Sequence, residues 1–173
     1  GKTALVREVY RPMALQHGYF IAGKFDQFQK NIPYAALAQA FRALVQQILT
    51  ESEEQIAAWR NALVAALGLN LQVMIDVIPE VELIVGPQRV VPTRPPAEAQ
   101  NRLHLAFQNF VRVFTGPGRP LTLFLDDLQW ADRASLHLLR RLLTAAENSY
   151  LFVICAYRDS EVTEAHPVGL MLN

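Results

Sequence analysis

The chain has 173 residues, 51% of them hydrophobic and 18% charged, enough to bury the core of one globular domain. Sixteen basic residues balance sixteen acidic ones, so the charge points neither to DNA nor to a charged membrane surface as partner. A lone cysteine, Cys155, excludes an internal disulfide framework, and four scattered histidines (His17, His104, His137 and His166) lack the spacing of zinc ligands.

In chain order, "KTALVREVYRPMA" sets Leu5, Val6, Val9 and Tyr10 at helical spacing. "GYFIAGKF" is a short, β-rich buried strand, after which Pro33 breaks the chain. "YAALAQAFRALVQQIL" brings Leu37, Ala40, Phe41, Leu44, Val45 and Ile48 onto one helical face. Ser52 and Gln55 form a capping box that starts a helix over "EEQIAAWRNALVAAL". "LNLQVMIDVIPEVELIVG" is apolar and predicts short helices ended by Pro79 and Gly86. "GPQRVVPTRPP" is a proline-rich linker.

"AEAQNRLHLAFQNFVRVF" then stacks Leu103, Phe107, Phe110 and Phe114 on one stripe, and "TGPGRP" turns the chain. "LTLFLDDLQWAD" is a continuous apolar strand ending abruptly in acid, with Asp132 capping a helix through "RASLHLLRRLLTAAE". "SYLFVICAYRD" is a further apolar strand ending in charge, with Cys155 expected to be a small buried thiol. No run is long enough for a membrane span and no signal peptide is visible, so a reducing, cytoplasmic setting is expected.

Continuous apolar strands joined by helices imply an α/β fold with a mainly parallel sheet, covered by helices on both faces. Ligands of such sheets gather beyond the carboxyl ends of the strands. In "LTLFLDD" the apolar run LTLFL buries the strand, so Asp126 emerges where it leaves the core. A carboxylate there is costly without a compensating cation, and a hydrated magnesium ion shared with substrate phosphates is one solution. The adjacent Asp127 can polarise a water for in-line attack on a terminal phosphoryl group.

Gly1-Lys2-Thr3 is how a phosphate-binding P-loop ends: the lysine neutralises β- and γ-phosphates, the hydroxyl of Thr3 binds magnesium, and the following helix supplies oriented amides. Arg158, just past the last strand, can reach a γ-phosphate and report its loss. Other polar residues carry competing explanations. Trp130 is a candidate for adenine stacking, although packing beneath its own loop is favoured. Lys24 and Asp26 are either ligand contacts or members of a structural ion pair or turn. Arg140 and Arg141 diverge on their helix and suit a solvated face, and Asp76, Glu80 and Glu82 form no dyad readable from spacing.

"GKTALVREVY", "GKFDQFQKNIPY", "LFLDDLQWAD" and "ICAYRDSEV" together resemble the ATPase module of the STAND class, AAA+-related signalling P-loop ATPases. The likeness runs along most of the chain and is greatest to the module within bacterial proteins that join a serine/threonine kinase, this ATPase and a sensor histidine kinase. The resemblance implies a nucleotide site of Gly1, Lys2 and Thr3 (Walker A), Asp126 and Asp127 (Walker B) and Arg158 (sensor). It implies ATP and Mg2+ as ligand and cofactor, and adjacent kinase and sensor domains as partners. It further implies one partial P-loop NTPase domain over 1–173, truncated at the N-terminus. The first strand, most of the glycine-rich loop and the C-terminal lid are absent, and residues 34–96 form a helix-rich insertion. That insertion is either extra packing or a docking surface that senses nucleotide state. The expected function is a Mg-ATP conformational switch in a signal-transduction protein. The competing readings are a nucleotide-binding scaffold without significant hydrolysis and a replication-initiator type AAA+ ATPase. Neutral charge argues against the last.

Overall fold

A computed structural model describes residues 18–90, 92–163 and 166–172. The helix expected over "KTALVREVYRPMA" lies outside them. The chain resolves into two compact units. One holds the described residues up to Ala40 together with those from Thr115 onward; the other is Phe41–Phe114.

The first unit is built on a three-stranded sheet of β1 (Tyr19–Lys24), β2 (Leu121–Asp126) and β3 (Leu151–Cys155), in that spatial order and parallel throughout. All three strands begin and end within a few residues of the expected positions. The parallel arrangement is what continuous apolar strands joined by long connections require. The middle strand carries most of the burial: Leu121, Thr122, Leu123 and Leu125 are buried, on both of its faces. β3 differs from the expectation of a buried strand. Phe152 is exposed and Val153, Ile154 and Cys155 are half-buried, as suits a strand with one neighbour among the described residues.

Helix α1 (Ala35–Ile48) opens beside β1. Gly23 permits the approach, because a Cβ there would sit 2.1 Å from the carbonyl oxygen of Ala36. Tyr34, just before the helix, takes a left-handed conformation (φ 65°) that bulky residues rarely adopt. Its backbone N–H donates to Ser135 Oγ at 3.1 Å, a contact 101 residues apart in sequence.

The second unit continues α1 and adds α2 (Glu53–Leu67), α3 (Leu71–Val77), α4 (Glu82–Val85) and α5 (Pro96–Phe114). The Ser52 cap forms as expected, its hydroxyl accepting the N–H of Gln55 at 3.3 Å, and α4 stops at Gly86 with φ 76°. α5 packs on α2 and α3, and its Phe107, Phe110 and Phe114 are fully buried. Phe41 meets the rings of Phe107 and Phe110 edge-on at 5.2 and 5.6 Å, and Trp59 lies 5.2 Å from Phe114, so aromatic packing holds this unit together. Asp76 accepts from Gln72 within α3, and Glu80, in the turn before α4, pairs with Arg42 of α1 at 2.6 Å, so both acids have structural partners in this unit.

In the first unit β2 leads through a short 3-10 turn (Leu128–Trp130) into α6 (Arg133–Thr144), and α7 (Pro167–Leu172) packs against it. α6 is shorter than the expected "RASLHLLRRLLTAAE", because Ala145 turns extended and 146–148 form a separate 3-10 turn. The Asp132 cap is present: Oδ1 accepts the Ser135 N–H at 2.8 Å. Among the described residues no helix is long and apolar enough to cross a membrane.

Candidate functional site

The parallel register brings the carboxyl ends of the strands side by side. Lys24, the last residue of β1, pairs with Asp126, the last of β2, while Leu125 pairs with Cys155 of β3. Backbone hydrogen bonds extend this alignment past the strands. Phe25 N donates to Asp126 O (3.1 Å), Ala156 N to Leu125 O (2.8 Å) and Leu128 N to Ala156 O (3.0 Å). The loops after all three strands are thus tied to one edge before any side chain is considered.

At that edge the chain turns sharply. Asp127 occupies the left-handed region (φ 50°, ψ 45°), a conformation that aspartate tolerates better than bulkier residues. Its N–H donates to Oδ1 of Asp126 at 2.9 Å, locking the two acids in sequence. The turn leaves the Asp127 side chain only 13% exposed, which makes partners for its charge a requirement. Among the described residues, partners arrive from three places in the chain. Lys24 Nζ lies 3.4 Å from Oδ2, Gln129 Nε2 donates to Oδ1 at 3.2 Å, and Arg158 Nε lies 4.0 Å from Oδ1. Arg158 also pairs with Glu161 at 2.9 Å.

Asp126, Asp127 and Arg158, singled out from the sequence, therefore converge in space. Gly1, Lys2 and Thr3 lie outside the described residues. Lys24 is the ion-pair partner that the sequence offered as one of two possibilities, and its pair turns out to be Asp127. Asp26 instead caps a local turn, accepting the N–H of Phe28 at 2.9 Å. Trp130 is half-buried with the ammonium of Lys30 4.4 Å from its ring centre, a cation–π contact.

Gln129 was not found from sequence. Buried to 3% exposure, its amide donates to Asp127 and its carbonyl accepts the N–H of Arg158 at 3.2 Å. It is a polar strut between the loops after β2 and β3. The available signal was a glutamine inside an otherwise apolar "DLQWA" turn.

The donor set fits magnesium held in the manner of a phosphate site. Two neighbouring carboxylates stand at the strand end, and among the described residues no three His, Cys, Asp or Glu side chains cluster into a metal cage. Magnesium commonly takes one or two carboxylates and completes its shell with water and substrate phosphates. Beneath the site, burial pushes the thiol of Cys155 up to about 11 from 9.0, so at neutral pH it is protonated and unreactive.

Comparison with known proteins gives a consistent picture. Residues 1–154 match the family model of an AAA ATPase domain. Hybrid signal transduction histidine kinase G of Dictyostelium discoideum is 43% identical over 143 residues, covering 83% of this chain and 4% of the relative. Histidine protein kinase 1 of Candida albicans is 23% identical over 155 residues, covering 80% of this chain and 6% of the relative. The chain thus spans a small fraction of the curated relatives it matches. No solved structure matches it. On the family match over most of its length, with a parallel sheet whose middle strand ends in paired acids, the chain belongs to the AAA ATPase domain family.

Proposed function

We propose that the chain is the ATP-binding and ATP-hydrolysing module of a larger signal-transduction kinase, using Mg-ATP as a conformational switch. The observation that carries this reading is the convergence of Asp126, Asp127 and Arg158, from the ends of two parallel strands, on one edge of the sheet. Similarity to histidine kinases over most of the chain supports the signalling context, with the adjoining kinase and sensor domains as the partners that read the switch.

In this reading Gly1, Lys2 and Thr3 close around the phosphates, and Thr3 and Asp126 hold magnesium. The ion neutralises charge on the phosphates when bound. Asp127 accepts the proton of the attacking water, and Gln129 holds its carboxylate in orientation. Arg158, 59% exposed and tethered by its backbone to Gln129, has the reach to pair with a terminal phosphate and to lose that partner on hydrolysis.

Asp127→Asn in the full-length protein tests the assignment, since it keeps the shape and removes the base. Single-turnover ATP hydrolysis is expected to fall at least about 100-fold while ATP affinity by calorimetry stays within a few-fold. Hydrolysis that continues unchanged removes Asp127 from the chemistry.

A second reading, a scaffold that binds nucleotide without significant turnover, draws on one observation: Asp127 is already engaged by Lys24, Gln129 and Arg158. It predicts that wild-type turnover is negligible and that Asp127→Asn leaves signalling intact.

A further inference from the structure

We propose that Lys24 determines the preference of this site for a nucleoside triphosphate over a diphosphate, by exchanging its bond to Asp127 for one to the terminal phosphate. The inference rests on the assignment of Asp127 as the water-activating base.

Two observations fix where Lys24 can act. Its backbone is held rigidly: it ends β1 opposite Asp126, and its N–H donates to Gln39 Oε1 at 3.0 Å. The strand residue before it, Gly23, lies too close to α1 for any side chain. Its ammonium, by contrast, is on a side chain that is 64% exposed, at the end of a flexible four-carbon stem. A fixed root and a mobile charged head suit a group that changes partner while the fold stays put.

The position of Asp127 then limits which phosphate Lys24 can meet. A base in contact with an attacking water stands one water molecule away from the phosphorus under attack. With Nζ 3.4 Å from Oδ2 of that base, the ammonium on its flexible stem has the reach to meet the oxygens of a terminal phosphate. The inner phosphates are further along the nucleotide. A diphosphate, which lacks the terminal group, leaves Lys24 on Asp127.

Charge gives the direction of the exchange. The ammonium has three donors, and its ion pair among the described residues is with Asp127, which it shares with Arg158. The terminal phosphate offers more negative charge and three acceptor oxygens. Its arrival draws Lys24 off Oδ2 of Asp127. One cation thus reports the terminal phosphate.

The test uses the full-length protein with Lys24→Met, which keeps the stem and removes the charge, and Lys24→Arg, which restores a cation. Affinities for ADP and for a slowly hydrolysed ATP analogue are measured by calorimetry at fixed magnesium, with circular dichroism as the check on folding. Lys24→Met is expected to weaken the triphosphate about tenfold, the worth of one charge-assisted bond, and to leave ADP within about twofold. Lys24→Arg is expected to keep most of the wild-type ratio. Equal weakening of both nucleotides, no weakening of either, or failure of arginine to restore the ratio overturns the proposal. A wild-type protein that binds neither nucleotide overturns the underlying assignment of the site, and this proposal with it.

Discussion

Gly23→Ala tests the link between the fold and the candidate site, because the glycine sets how closely α1 approaches β1 immediately beside Lys24. A Cβ at Gly23 would lie 2.1 Å from the carbonyl oxygen and 2.9 Å from the carbonyl carbon of Ala36, and 3.4 Å from Ala40 Cβ. Cβ atoms essentially never come closer than 3.0 Å, so strand and helix must part by about 0.9 Å at this point. The obstructing atoms are backbone, and no side-chain rotation relieves them. Overpacking of this kind destabilises by about 1–3 kcal/mol, with backbone obstruction at the upper end. Alanine recovers up to about 1 kcal/mol of chain entropy, leaving a net loss of about 2 kcal/mol. Urea unfolding of the chain reads this directly. With a slope of about 2 kcal/mol per molar, typical of small proteins, the midpoint falls by about 1 M. Gly116→Ala is the internal control, since nothing lies within 4 Å of a Cβ there, and with the entropy gain unopposed its midpoint is expected to rise by up to about 0.5 M. If both substitutions leave the midpoint unchanged, the close approach of α1 does not hold β1 in place.

Ser135→Ala removes the hydroxyl that accepts the Tyr34 N–H and donates to Asp132 Oδ2 at 2.5 Å, at a position only 1% exposed. Loss of that acceptor in a buried setting costs about 2 kcal/mol, read as a fall of about 5 °C in the thermal midpoint. Cys155 supplies a dependence on pH. Its folded pKa is raised to about 11 from 9.0, so below pH 9 both folded and unfolded chains hold the proton and stability is unaffected. Between about pH 9 and 11 the unfolded thiol ionises first, and stability falls as pH rises, by about 3 kcal/mol in all. Denaturant titrations of the wild type and Cys155→Ala across that range are expected to diverge there and run parallel below it.

The parts of the fold that were legible in the sequence are those decided by local pattern. "LTLFLDD" reads as a buried strand ending in acid because four apolar residues and a β-branched threonine leave no strongly polar face, and the strand ends at Asp126 as expected. Ser52 and Asp132 cap their helices through contacts three residues away, which spacing alone specifies. What pattern did not supply is long-range. The Tyr34–Ser135 bond joins residues 101 apart, and the left-handed turn at Asp127 is set by backbone bonds to neighbouring strands. Lys24 remained one of two possibilities because its partner lies on another strand, and only the parallel register puts Asp126 and Asp127 beside it. Gln129 escaped notice because its function as a strut depends on both of its ends being met at once, by Asp127 and by the backbone of Arg158.

The need to keep Asp127 charged in a largely buried place explains why cations gather at this edge, and it also bears on how a switch can be built there. Asp127 is 13% exposed, so removing all of its partners would be costly, whereas Lys24 and Arg158 are 64% and 59% exposed and lose little on leaving. An ion pair with one solvated member contributes about 0–1 kcal/mol, while a charge-assisted bond to a phosphate contributes about twice a neutral one. On the proposed function, the balance favours transfer of the cations to an incoming terminal phosphate. Gln129, buried and bonded at both ends, stays behind to hold the carboxylate. On the proposed function, this division of labour between mobile cations and a fixed amide lets the cations leave while the carboxylate stays supported. A switch made of three fixed partners would have to break buried hydrogen bonds at every turnover.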